Sequence, residues 1–149
     1  MVTFLATWLL CSLGFYSPQV QVDSTQVQKW QDVTATEFKQ IIEKDSTAFL
    51  LDVRSQPEFD KGHIAAAHLI PYNQLAERSK ELPTDHQLVI LVYCHSGHRS
   101  RLAAETLLKL GYKKVVNLQA GFAEWQRCQF PVTAPPPQES KKPEGKPNE

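Results

Sequence analysis

The run Leu88-Val89-Ile90-Leu91-Val92-Tyr93 constrains the fold more than any other part of the sequence. Six apolar or β-favouring residues follow one another without a polar break, so neither face of this segment is built to meet water. A strand covered on both faces belongs in the middle of a parallel sheet with helices packed above and below it. Ala48 to Val53 is a second compact apolar run of the same kind, and Trp30–Val33, Ala67–Ile70 and Val115–Leu118 complete a set of five expected strands.

Helical patterns fall between these runs. Thr34-Ala35-Thr36-Glu37 has the form of a capping box, with Phe38, Ile41 and Ile42 following on one helical face. Pro57 to Lys61 predicts a short helix with proline in its first turn. Ser100 to Leu110 predicts another, with Ala103, Leu107 and Leu110 on one face and Gly111 as its terminator. Tyr72 to Leu82 reads as a polar helix ended by Pro83, and Gly121 to Cys128 as the last helix. Strands alternating with helices require crossover connections, so the expected class is α/β, with a central parallel sheet of about five strands and helices on both faces.

The two ends of the chain differ from this body. No charged side chain occurs in residues 1–22, and Val2 to Tyr16 is almost wholly apolar, about the length of a signal-peptide core and short of the roughly 18–20 residues of a membrane span. Export to the periplasm or an equivalent compartment is the expected consequence. An uncleaved anchor and a wrongly assigned start are its two rivals, since the usual basic residues before such a core are missing. Residues 133–149, rich in proline, lysine and glutamate, are expected to form a disordered tail. That leaves one domain, residues 29–132. With 16 basic and 16 acidic residues the net charge is zero, which argues against a nucleic-acid partner. The three cysteines are too few for a disulfide framework.

Ligands of parallel sheets gather beyond the carboxyl ends of the strands, where loops lead into helix N-termini. After Tyr93 the chain reads Cys94-His95-Ser96-Gly97-His98-Arg99-Ser100. A cysteine at a strand end, a glycine three residues on and an arginine beside a helix start form an anion cradle around a sulfur. Inward-turned N–H groups, the positive end of the helix and Arg99 all favour a thiolate there. Cys94 is accordingly the candidate nucleophile, and His95, Ser96, Gly97, His98 and Arg99 the candidate substrate-binding residues. Asp52 and Arg54 lie at another strand's carboxyl end. With Glu58 they are assigned structural support, Arg54 being expected to reach Glu58. His63 is expected to tie down its own loop, and Phe122 and Trp125 to anchor the core. Seven residues of helix carry Cys128 on the order of 10 Å from the start of the last helix, so it is expected to be a free, packed thiol.

Three segments, in order, resemble the rhodanese (single-domain thiosulfate sulfurtransferase) family. Leu51-Asp52-Val53-Arg54 with Glu58-Phe59, then Gly62-His63-Ile64 leading to Ile70-Pro71, is similar to the family's first signature. Tyr93 to Ser100 resembles its active-site loop. Asn117-Leu118, Gly121-Phe122, Trp125 and Pro131-Val132 resemble its closing segment. The resemblance implies a persulfide mechanism. Cys94 would take sulfane sulfur from a small donor such as thiosulfate and pass it to cyanide or a thiol, with the N–H groups of His95 to Arg99 holding the outer sulfur and Arg99 attracting the donor's sulfonate. Neither a metal nor an organic cofactor is implied, and a protein acceptor is left open. Ala65-Ala66-Ala67 and Ala120-Gly121 stand where members often carry Gly-Ala and Gly-Gly, and His95 stands where thiosulfate-specific members often carry arginine. The alternative is a persulfide carrier or a non-catalytic interaction module. Phosphate or arsenate chemistry is disfavoured, because four residues between Cys94 and Arg99 make a smaller nest than the five of the related phosphatases.

Overall fold

Alternation along each strand decides which residues meet which helices. A computed structural model describes residues 29–134; the uncharged segment 1–22 and the chain from residue 135 onward lie outside the described residues. Five strands, β1 (Gln31–Val33), β2 (Phe49–Asp52), β3 (His68–Leu69), β4 (Val89–Tyr93) and β5 (Lys114–Leu118), form one sheet in the order β1-β5-β4-β2-β3. Every pairing in it is parallel, as expected, and the apolar run of β4 occupies the centre. Ile90, Val92 and Cys94 point to one face with Leu51, Val53 and Val115, while Leu91 and Tyr93 point to the other with Leu50, Val116 and Leu118.

Helix α3 (His98–Lys109) covers the first face through Ala103, Ala104 and Leu107. The second is covered by α1 (Ala35–Lys44) through Ala35 and Phe38, and by α4 (Gly121–Arg127) through Phe122 and Trp125. Phe38 packs edge-on against both Tyr93 and Trp125, with centroids 6.4 Å apart in each case, an arrangement that aromatic quadrupoles favour. The capping box of α1 is present. The Thr34 N–H donates to the Glu37 carboxylate at 2.9 Å, and the Glu37 N–H donates back to the Thr34 hydroxyl at 3.4 Å. A five-residue helix, α2 (Gln56–Asp60), follows β2.

The polar helix expected over Tyr72–Leu82 is replaced by successive turns that end in a single 3-10 turn, Ser79–Glu81. Leu75 and Leu82 are its two buried leucines, too far apart to supply the continuous stripe that anchors a helix. Arg78 instead holds the segment by pairing with Glu81 at 2.6 Å. After α4 the chain turns back, and Thr133 and His63 exchange both backbone hydrogen bonds at 2.8 Å. No helix among the described residues is long and apolar enough to cross a membrane.

Candidate active site

The central strand β4 runs directly into the loop that carries the cysteine. Cys94 has no exposed surface. Its sulfur accepts a hydrogen bond from the Gly97 N–H at 3.2 Å and faces the Ser100 hydroxyl at 3.4 Å. The loop can close this tightly because Gly97 has φ +90°, and a Cβ there would lie 1.9 Å from the Gln119 carbonyl oxygen. Gly97 is also the residue from which α3 starts, so the positive end of that helix faces the sulfur. Ser100, wholly buried in the first turn of α3, closes the loop segment read from the sequence but carries no role in that reading. Its signal was a hydroxyl one helical turn past the loop glycine, on the side that looks back toward the strand end.

The opposite side of the loop is fixed by α4. The N–H groups of Phe122 and Ala123 donate to the carbonyls of Cys94 and His95 at 2.7 and 3.0 Å. This close approach requires Gly121, which has φ +66° and leaves no room for a Cβ between the two peptides. His95, Ser96 and His98 are exposed on the outer rim, Gly97 is buried, and Arg99 is half-buried. Of the loop N–H groups expected to converge, Gly97's is the one at hydrogen-bond distance from the sulfur.

Two ion pairs organise the surroundings, and one departs from expectation. Arg54 reaches Asp52 and not Glu58: its Nε and Nη2 donate to the carboxylate at 2.6–3.0 Å, and Nη2 also donates to the Gly62 carbonyl at 2.8 Å. Both residues are essentially buried, and the guanidinium stacks 4.1 Å from the Phe122 ring centroid. The physical reason is proximity: Asp52 and Arg54 leave the strand end on the same side, two residues apart, whereas Glu58 turns toward the cysteine loop on α2. Glu58 receives a forked pair from Arg99 at 2.7 and 2.8 Å, together with the N–H and hydroxyl of Ser55 at 3.1 and 2.7 Å. The Arg99 hydrogen bond, with Ser55's, holds the Glu58 carboxyl far below the usual carboxylate range against the opposing effect of burial. Arg99 is raised in turn, first by Glu58, with Cys94 adding a smaller contribution. The arginine expected to be open for a donor is therefore already engaged, although its charge stays beside the sulfur.

Supporting contacts surround this arrangement. The Tyr93 phenol is pushed up by burial, and its oxygen accepts from the Ile64 N–H at 3.1 Å. His63 stacks on Phe59 with centroids 3.7 Å apart and places Nδ1 3.0 Å from the Phe59 carbonyl, in keeping with a loop-tying role. Cys128 is a free thiol, as expected, but it is exposed and not packed. It caps the end of α4, past the buried positions Phe122 and Trp125. Beside the loop, a cleft of about 300 Å³ is lined by Arg54, Glu58, Lys61, His95, Phe122 and Gln126. Cys94 with its loop, and Asp52, Arg54 and Glu58, thus stand at the carboxyl end of the sheet beside a small charged cleft, whereas Cys128 lies at the far end of α4.

Comparison with known proteins agrees with this geometry. The family model for the rhodanese-like domain matches residues 34–128. YqhL of Bacillus subtilis is 41% identical over 125 residues, covering 84% of this chain and 90% of that relative. A protein named Sulfurtransferase from Allochromatium vinosum is 33% identical over 104 residues, covering 70% of this chain and 95% of that one. The chain spans half the length of another Bacillus subtilis relative, YrkF, with 37% identity. Among solved structures, a rhodanese-related protein from Thermoplasma volcanium superposes with a TM-score of 0.61 at 31% identity, covering 69% of this chain and 97% of that one. On the match to the family model and the shared fold, the chain belongs to the rhodanese-like domain family.

Proposed function

We propose that the chain is a sulfurtransferase that carries sulfane sulfur on Cys94 as a persulfide, taking it from a small anionic donor such as thiosulfate and delivering it to cyanide or a thiol. The observation that carries this reading is the setting of the Cys94 sulfur, at the end of the central strand with the Gly97 N–H and the Ser100 hydroxyl directed at it. Donors directed at the sulfur and a helix N-terminus behind it stabilise negative charge on the nucleophile as it reacts. In the first half-reaction the thiolate attacks the outer sulfur of thiosulfate, the S–S bond of the donor breaks, and sulfite leaves with the bonding electron pair. The anionic persulfide that results keeps the same charge at the loop. In the second, cyanide attacks the outer sulfur and leaves as thiocyanate, restoring the thiolate.

Arg99, held by Glu58, steadies the negative charge without moving. Asp52 and Arg54 act at one remove, by fixing the Gly62 turn that walls the cleft. The name of the Allochromatium vinosum relative supports sulfur transfer as the reaction class. A carrier that turns over slowly is the second reading. It is favoured by the complete burial of Cys94, since discharge then requires the loop to open to an acceptor.

Intact-mass measurement after thiosulfate exposure tests the proposal. The parent should gain one sulfur atom and Cys94→Ser should gain none, because an alcohol forms no persulfide. Parent-like thiocyanate production by Cys94→Ser would overturn the proposal. Multiple turnovers with cyanide distinguish the enzyme from the carrier.

A further inference from the structure

The cleft beside the loop contains a cation that its internal pairs leave over. Arg54 is matched by Asp52, and Arg99 by Glu58, so these four groups sum to zero. Lys61 lines the same cleft and takes part in no ion pair or hydrogen bond of its side chain among the described residues. Its backbone is nonetheless pinned. The Lys61 N–H closes α2 on the Phe59 carbonyl, the next carbonyl, Gly62's, is held by Arg54 at 2.8 Å, and Gly62 packs against Val132. The root of the side chain is therefore fixed while its ammonium stays free to follow a ligand. Across the cleft, His95 and the Gln126 amide supply polar partners, and Phe122 supplies an apolar wall.

We infer that Lys61 is the donor-recognition residue, its ammonium holding the anionic end of a small sulfonate-type donor in this cleft while the sulfane end is directed to Cys94. The inference rests on the sulfurtransferase reading above and names the residue that recognises its donor. Loading brings a dianionic donor toward a thiolate in a cleft whose other charges cancel, and a free cation offsets that repulsion. A lysine suits this task because it is a compact charge on a long stem and makes no demand for forked geometry. Delivery of sulfur from the finished persulfide involves no sulfonate and should depend on Lys61 far less.

The test compares the two half-reactions in Lys61→Ala, Lys61→Arg and the parent. Intact-mass time courses at rising thiosulfate concentrations measure loading, and thiocyanate release from preloaded protein measures discharge. Lys61→Ala should raise the thiosulfate concentration for half-maximal loading about tenfold, as expected for one screened charge pair, and weaken its dependence on salt. Discharge by cyanide should stay within about twofold, as befits a step without a sulfonate, and Lys61→Arg should restore most of the loading. An unchanged loading curve in Lys61→Ala, or equal losses in both halves, overturns the assignment of Lys61. A parent that gains no sulfur from thiosulfate, or a Cys94→Ser variant that gains as much, overturns the reading beneath it.

Discussion

Gly121→Ala is the sharpest probe of how the last helix controls the cysteine loop. The substitution lies on α4, yet its new methyl would sit 2.5 Å from the His95 carbonyl oxygen and 2.6 Å from that of Cys94. Ordinary carbon–oxygen contacts lie near 3.3–3.6 Å, so the two peptides would have to separate by about 0.8 Å. Three effects set the magnitude. An L-residue held at φ +66° costs about 1–2 kcal/mol. Stretching the Phe122 and Ala123 hydrogen bonds to the loop carbonyls costs about 1–2 kcal/mol for the pair. Reduced freedom of the unfolded chain returns about 0.5–1 kcal/mol. The net loss should be about 1–3.5 kcal/mol, read as a lower urea midpoint at unchanged slope. Because the displaced peptide belongs to the nucleophile itself, loading of sulfur from thiosulfate should slow by roughly a hundredfold, the effect of an ångström-scale misplacement. Ala120→Gly, at an exposed residue with φ −99°, is the control and should cost only about 0.5–1 kcal/mol, from a freer unfolded chain, while loading sulfur as the parent does. A Gly121→Ala protein that unfolds within 0.5 kcal/mol of the parent, or loses stability but loads sulfur at the parental rate, would refute the claim that α4 positions the loop.

Other variants address the remaining contacts. Arg54→Leu leaves the Asp52 carboxylate buried without its partner and should cost about 3–5 kcal/mol in denaturant titrations; a loss under 1 kcal/mol would show the pair to be dispensable. Glu58 has a native pKa below its unfolded value, so its stabilising contribution is complete above about pH 4.3 and is lost as pH falls through the lowered native value. The stability gap between the parent and Glu58→Gln should accordingly stay constant from about pH 6 to 8 and narrow below about pH 4. A gap that widens in acid would reverse the assignment. Ala66 sits at φ +64°, so Ala66→Gly should relieve backbone strain and, after the entropy of the freer unfolded chain, raise stability by about 0.5 kcal/mol. Aryl phosphate should not be hydrolysed appreciably, and Cys94-dependent phosphatase activity would show that the loop holds a larger anion than a sulfur donor.

What the sequence revealed, and what it withheld, follows from the range of the forces involved. β4 and its loop were readable because an unbroken apolar run and a glycine three residues past a cysteine are local signals. The Thr34 capping box was readable for the same reason. Arg54's choice of Asp52 over Glu58 was not, because it depends on how α2 turns Glu58 toward Arg99, 41 positions away. Ser100 was hidden because its role arises only when the helix start folds back under the strand end. The segment from Tyr72 to Leu82 misled because its polar pattern is compatible with a helix, while the two buried leucines that fix it are satisfied by turns. Distance along the last helix rightly left Cys128 a free thiol, but its packing was misjudged, because the end of α4 stands exposed past the buried Phe122 and Trp125. The burial of Cys94 and the leftover charge of Lys61 both emerge only when separate elements are counted together.

The pairing of Thr133 with His63 gives the domain a polarity that matters to anyone attaching it to something else. At the front end, the described chain enters through β1, whose first residue lies at the edge of the parallel sheet away from the cysteine loop. At the back end, it leaves beside Gly62 and His63, against the wall of the cleft. A tag, dye or surface linkage placed just before residue 29 therefore stands clear of traffic to and from the sulfur. The same attachment just after residue 134 stands at the door.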